Sequence, residues 1–292
     1  MNKLTDQELL DELKRRFEDN QKSFEEQLNL TEQLKKVNKK LEDSENLKSH
    51  FLSNIRNEII NPFASIMALS KSITTLKSEN FEKAKIMASL IHSEAFILDF
   101  QLNNIFTAAE LEAGISSPQI SNVNILSVIN SLVDSFKPLA EQKKLRTEIV
   151  NENLSLDPPF YFKSDAHKIQ LIVSNLLSNA IFYSYENTTI LLTVSKCEDN
   201  ICFSITDSGI GINEEHKQEI FDRFKRINSK ICTPNTGHGL GLSIVRELLS
   251  LLNGNLNVQS EPNVGSTFSA VIPEAQVEDI GGFSSDGNEE IF

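Results

Sequence analysis

Three segments constrain this chain more than any others, and they fall in a fixed order: NLLSNA at 175–180, DSGIGI at 207–212 and GHGLGL at 237–242. Each can do one part of the same chemical job. An Asp ahead of a Gly-x-Gly loop, as in Asp207, Gly209 and Gly211, can accept a hydrogen bond from an exocyclic amine while the glycines let the backbone close around a flat base. Gly237, Gly239 and Gly241 run straight into the apolar helical pattern of Leu242 to Leu252, so the free amides of residues 237–242, Leu240 and Leu242 included, would face phosphate oxygens at a helix N-terminus. Asn175 and Asn179 stand four residues apart in a helical pattern and so share a face, where their amide oxygens can meet a hydrated Mg²⁺. Taken singly, a glycine pair is a turn and an Asn pair a solvated helix face. Their joint order points to one nucleotide pocket.

With FDRF at 221–224 and GSTF at 265–268 added, the order resembles the catalytic ATP-binding domain of sensor histidine kinases, within the wider group of gyrase, MutL and heat-shock chaperones. The resemblance implies an α/β-sandwich domain over residues 116–273. It also implies roles for the matching positions: Asn179 and Asn175 on Mg²⁺, Asp207 on adenine, the 237–242 amides on phosphate and Thr267 near the base, with ATP and Mg²⁺ as cofactors. One position departs from the pattern. Phe182 stands where the family often carries Lys or Arg, and Lys225, Arg226 and Lys230 are the candidate replacements, a solvated surface role being the alternative.

Residues 51–66, FLSNIRNEIINPFASI, resemble the dimerization and phosphoacceptor helix of the same kinases, usually FLxNxSHExRTPLxxI. Phe51, Leu52, Asn54, Glu58, Pro62 and Ile66 match, whereas the acceptor His position is Asn57. A carboxamide nitrogen is delocalised into its carbonyl and is no nucleophile, so self-phosphorylation at residue 57 is not expected. Arg56, Ile60 and Asn61 also depart from the usual residues, so the divergence runs through the motif. Glu58 and Asn61 keep a Glu-x-x-Thr/Asn pattern that the resemblance links to dephosphorylation of a partner receiver domain, with Asn57 and Asn61 one turn apart to orient a water. The alternative is that both are polar residues around a bend at Pro62.

Around these motifs the chain divides by pattern. Residues 1–48 are rich in Glu, Lys, Leu, Gln and Asn without Pro or Gly, and apolar residues recur at Leu10, Leu13, Phe17 and Phe24, then at Leu34, Val37, Leu41 and Phe51. A coiled coil is expected, with a stutter-like offset between Leu28 and Leu34. Residues 49–115 read as a helical hairpin turning near Lys77 to Asn80, with Ile91, Leu98, Leu102 and Ile105 as the apolar stripe of its second helix, best buried as a four-helix bundle in a homodimer. AELEAG at 109–114 resembles the hinge before the ATP domain. Residues 274–292, with six acidic and no basic residues, are expected to be a disordered tail.

The formal net charge of −13 argues against a nucleic-acid partner. No long apolar run suggests membrane insertion, and three cysteines without a CxxC pair suit a reducing compartment, so a cytoplasmic regulator is expected. The expected partner is a response-regulator receiver domain. Two alternatives stand beside a regulator unable to self-phosphorylate: an ordinary autokinase with its acceptor substituted, and a non-enzymatic coiled-coil scaffold with a structural nucleotide.

Overall fold

The computed structural model describes residues 6–76, 80–156, 159–223, 239–276 and 283–284. The chain divides into two units, Met1–Ser53 and Asn54–Phe292. The first unit is the leading part of α1, the 69-residue helix Asp6–Thr74. Good helix formers and i,i+4 pairs such as Lys36 with Glu32 at 3.3 Å support it locally. Its apolar stripe is bare in the single chain, with Phe17, Phe24, Leu28, Leu34 and Val37 all exposed.

In the second unit, α1 continues to Thr74 and α2 (Phe81–Ala113) returns beside it, joined by Ser65 Oγ donating to Glu94 at 3.3 Å. Pro62 lies buried inside α1 without ending it. Gly114 closes α2 in the left-handed region at φ 67°, its N–H returning to the last-turn carbonyls of Glu110 and Leu111. In the single chain the deepest face of α2 lies off the apolar stripe, whose expected cover is a second copy. Ile91, Leu98, Leu102 and Ile105 are half-buried, whereas Gln101, Asn104, Thr107 and Ala108 are buried. These four recur at helical spacing and face the α/β domain.

That domain is a five-stranded sheet under three helices, with a smaller sheet beside it. The strands β2 (Arg146–Glu152), β4 (Thr189–Cys197), β5 (Asn200–Asp207), β6 (Asn255–Glu261) and β7 (Gly265–Pro273) stand in the order β2-β4-β5-β7-β6. Only the β2–β4 pair is parallel. Strict alternation along β4 and β5 sends Ile190, Leu192, Val194, Ile201, Phe203 and Ile205 inward. Above them lie α3 (Ile125–Gln142), α4 (Ala166–Tyr183) and α5 (Gly241–Leu251). α4 is buried nearly all round, because its neighbours α3 and α5 flank it and the sheet lies beneath.

The smaller sheet pairs β1 (Ser121–Asn124) antiparallel with β3 (Tyr161–Ser164) and parallel with β8 (Phe283–Ser284). The acidic tail is therefore not wholly irregular: Ala275 N–H donates to Lys163 O at 2.9 Å and Phe283–Ser284 adds an edge strand.

Side-chain caps start two of the helices. Asn124 accepts from Ser127 N–H at α3, and Asp165 accepts from Lys168 N–H at α4. Asp165 does more than cap. It takes the Lys168 ammonium at 2.8 Å and the Gln119 N–H at 2.7 Å, while Lys168 Nζ also reaches Ser117 O at 2.9 Å. The linker leaving α2 is thereby tied to the start of α4. Asp165→Ala removes the cap and the linker bond and leaves a buried ammonium unpaired, so urea unfolding should report about 3–5 kcal/mol less stability. Asp165→Asn keeps a capping oxygen but turns an NH₂ toward the Lys168 ammonium and the Gln119 N–H, so it should lose about as much as Asp165→Ala; unchanged stability in Asp165→Asn would mean that these two bonds contribute nothing.

Candidate functional site

Asp207 ends β5 on its inward face and is 7% exposed. Its Oδ1 is buried with no hydrogen-bond partner among the described residues. Burial pushes the carboxyl pKa up to about 6, against the backbone N–H groups of Ser266 and Gly209, which favour the ionised form. A buried acceptor left open costs about 1–3 kcal/mol, which an amine donor would relieve.

The loop after Asp207 is shaped by what its glycines lack. A Cβ on Gly209 would run into the Tyr183 carbonyl oxygen, and one on Gly211, at φ +61°, into that of Glu261. The close approach lets the end of α4 support the loop: Tyr185 N–H donates to Ser208 O at 3.1 Å, and Ile210 N–H to Tyr183 O at 3.3 Å. On the other side Ile212 N–H donates to Ser260 Oγ at 2.8 Å, and Ser260 meets Ser266 Oγ at 2.9 Å.

Strand register corrects one expectation. Asp207 stands opposite Ser266, so these two share a face, and Thr206 stands opposite Thr267 on the other. Thr206 and Thr267 hydroxyls meet at 3.0 Å. Thr267 therefore points away from Asp207, and Ser266 is the GSTF residue beside it. The two-residue strand period separates Ser266 and Thr267 onto opposite faces, but which of them faces Asp207 depends on the pairing register.

Asn175 is 3% exposed, and its Nδ2 donates to Leu171 O at 2.9 Å and to Asn104 Oδ1 at 2.7 Å. Its oxygen faces α5, where a Cβ on Gly241 would stand 2.8 Å from it. Asn179, one turn later, is half-buried. α5 begins at Gly241 after Gly239, at φ 69°, and Leu240, and no side chain among the described residues caps its N-terminus, so the amides around Leu242 can serve an anion. Gly237, Lys225, Arg226 and Lys230 lie outside the described residues, as do the side chains of Asn57 and Glu58; Asn61 is exposed on α1.

Two further positions escaped sequence reading. Lys143, at the end of α3, donates to the Ile181 carbonyl at 3.0 Å and to that of Phe182, with its ammonium 5.4 Å from the Phe182 ring centroid. It supplies the cation that α4 lacks in its own last turn. In FDRF, Arg223 grips Glu247 of α5 through two hydrogen bonds, at 3.1 and 2.7 Å, and reaches Glu112 of α2 at 3.5 Å.

The residues fit a magnesium nucleotide. An open buried acceptor suits the adenine amine, the loop admits close approach, α5 offers uncapped amides to phosphate, and amide oxygens are hard donors suited to Mg²⁺.

Residues 164–276 match the family of histidine kinase-, DNA gyrase B- and HSP90-like ATPases. The sensor-like histidine kinase SenX3 of Mycolicibacterium smegmatis is 26% identical over 226 residues, which make up 77% of this chain and 57% of that protein. The sensor protein EvgS of Escherichia coli is 29% identical over 231 residues, 77% of this chain and 19% of its own length. The circadian input-output histidine kinase CikA of Synechococcus elongatus is 25% identical, with 78% and 30% covered. The chain thus spans little more than half of SenX3 and less of the other two. The crystal structure of full-length ShkA in complex with AMPPNP shares the fold, with a TM-score of 0.54 and 22% identity over 80% of this chain and 47% of that one.

With Asp207 as the acceptor of the base amine, nucleotide binding would be pH-dependent. In the folded apo-protein its pKa stands above the ordinary value near 3.9, so between about 4 and 6 the native state holds more protons than the unfolded one. This group's contribution to stability is present below that window and is lost as pH rises through it. An amine donor favours the ionised carboxylate, so calorimetry of adenosine diphosphate binding at pH 6 should show proton release that disappears in Asp207→Asn. Affinity should weaken as pH falls below about 6; a pH-independent affinity would remove Asp207 from the base site.

Proposed function

We propose, for a chain that carries a histidine kinase-type catalytic ATP-binding domain, that it binds Mg²⁺-ATP but does not phosphorylate itself at residue 57, and that it controls a response-regulator receiver domain as a phosphatase. The observation that carries this reading is the pairing of a fitted nucleotide site with a non-nucleophilic acceptor position. The open Asp207 acceptor, the glycine-walled loop and the uncapped α5 fit a nucleotide, whereas the Asn57 amide nitrogen, its lone pair delocalised into the carbonyl, is no nucleophile toward phosphorus.

The phosphatase role rests on α1. The helix continues unbroken through Pro62, and the one-turn spacing of residues 57 and 61 along it supports a shared role. Hydrolysis of a receiver's aspartyl phosphate needs a water in line with the phosphorus–carboxylate oxygen bond. Water oxygen bonds to phosphorus, the bond to the receiver's carboxylate breaks, and inorganic phosphate leaves. A carboxamide orients such a water without taking its proton, and Glu58 is the adjacent group able to accept one. Mg²⁺ would neutralise the nucleotide's phosphates, with Asn179 and Asn175 as its protein oxygens.

The bare stripe of α1 and the half-buried stripe of α2 support a homodimer. No helix among the described residues is long and apolar enough to cross a membrane, in keeping with a cytoplasmic regulator.

The test uses the full chain with γ-labelled ATP and a receiver domain phosphorylated by acetyl phosphate. The unmodified chain should bind nucleotide, incorporate no label and speed loss of receiver phosphate, and Asn61→Ala should reduce that speed at least tenfold. Label incorporated only by Asn57→His would mean an intact transfer machinery lacking its acceptor. Label on the unmodified chain would overturn the reading, and nucleotide binding with no effect on receiver phosphate would leave a scaffold.

A further inference from the structure

The buried pair Asn104–Asn175 joins the hairpin to the nucleotide site. Asn104 is 6% exposed on α2 and Asn175 3% exposed on α4. Asn104 Oδ1 accepts from Asn175 Nδ2 at 2.7 Å, and Leu171 O accepts from the same nitrogen at 2.9 Å. A backbone carbonyl can only accept, so the group facing Leu171 must be the NH₂, which fixes the orientation of the Asn175 amide. Both of its hydrogens are taken, and its oxygen is left toward the first turn of α5. Gly241 keeps that approach open, since a Cβ there would stand 2.8 Å from the oxygen.

Without Asn104 the second amide hydrogen of Asn175 would lose its acceptor in a buried place, and the Leu171 carbonyl would be left as the one acceptor holding the amide nitrogen. The rest of α2 holds Asn104 in position. Phe96 and Phe100 meet the Phe136 ring of α3 edge-on at 5.0 and 5.6 Å, and Glu112 reaches Arg223 at 3.5 Å.

We infer that Asn104 is a positioning residue for nucleotide-bound Mg²⁺: from the hairpin, it holds the Asn175 amide with its oxygen toward the metal. The inference rests on the nucleotide-pocket reading above and adds to it a dependence of metal affinity on the seating of α2. A partner that orients a metal ligand commonly changes metal affinity by roughly 10–100-fold when removed. Coupling is reciprocal, so metal and nucleotide must in turn hold α2 against the domain.

The experiment measures adenosine diphosphate affinity of the full chain by calorimetry with and without Mg²⁺, in the unmodified protein and in Asn175→Ala, Asn104→Leu and Asn104→Asp. Asn104→Leu should cut the Mg²⁺ enhancement by roughly tenfold while leaving the metal-free affinity within about twofold. Asn104→Asp, which keeps the accepting oxygen, should retain the enhancement. Hydrogen exchange should show Mg²⁺ and nucleotide protecting residues 100–113 in the unmodified chain but not in Asn104→Leu.

Should Leu at 104 prevent folding, Asn104→Ala removes the same acceptor with less bulk. If Asn175→Ala abolishes the enhancement and Asn104→Leu keeps it, the inference is wrong and the pocket reading stands. If the unmodified chain shows no nucleotide binding, both fail. Enhancement that survives in Asn175→Ala would also overturn the role given to Asn104.

Discussion

Burial of α4 on nearly every side is the constraint from which the rest of the second unit follows. A helix with the sheet beneath it and α3 and α5 at its flanks has little solvent left to satisfy polar groups, so each polar group on it needs a protein partner or a ligand. At its start Asp165 and Lys168 pair with each other and with the linker. In its middle Asn175 finds Asn104. At its end Lys143 takes the carbonyls of Ile181 and Phe182, and Tyr183 supports the Asp207 loop.

This arrangement places the hairpin and the candidate pocket on one helix. The linker contacts α4 at its first turn and α2 reaches it near its centre, while the base-facing loop rests on its last turn. Under the roles proposed above, movement of α2 against α4 would be felt first at Asn175. The base half depends on β5, β7 and the loop, with Ser260 and Ser266 as its hydroxyl support.

The buried polar face of α2 has a related consequence. Gln101, Asn104 and Thr107 are poor residues for a core, and Asn104 is a specific one, because its amide oxygen is satisfied where the Asn175 amide nitrogen stands. An apolar face would dock in several registers. Gln101 Oε1 lacks a hydrogen-bond partner among the described residues, so this contact carries an energetic cost along with its specificity.

The sequence by itself marked the long helices, two strands of the sheet and the glycine segments of the candidate pocket. Alternation in β4 and β5, helical spacing in α2 and α5, and the glycines around Asp207 are local signals, set by backbone geometry over a few residues. They were enough to place Asp207 at a strand end and Gly241 at a helix start. Tertiary structure alone decided what required distant partners. The antiparallel register put Ser266 rather than Thr267 beside Asp207, because a one-residue change of position on a strand reverses the face. Docking of α2 set Asn104 against Asn175, 71 residues later in the chain, and turned a polar helix face inward. Lys143 became the cation of a helix it does not belong to. Hydrophobic periodicity identifies which face of a helix can be buried, but a hydrogen bond between residues remote in sequence depends on how whole elements pack.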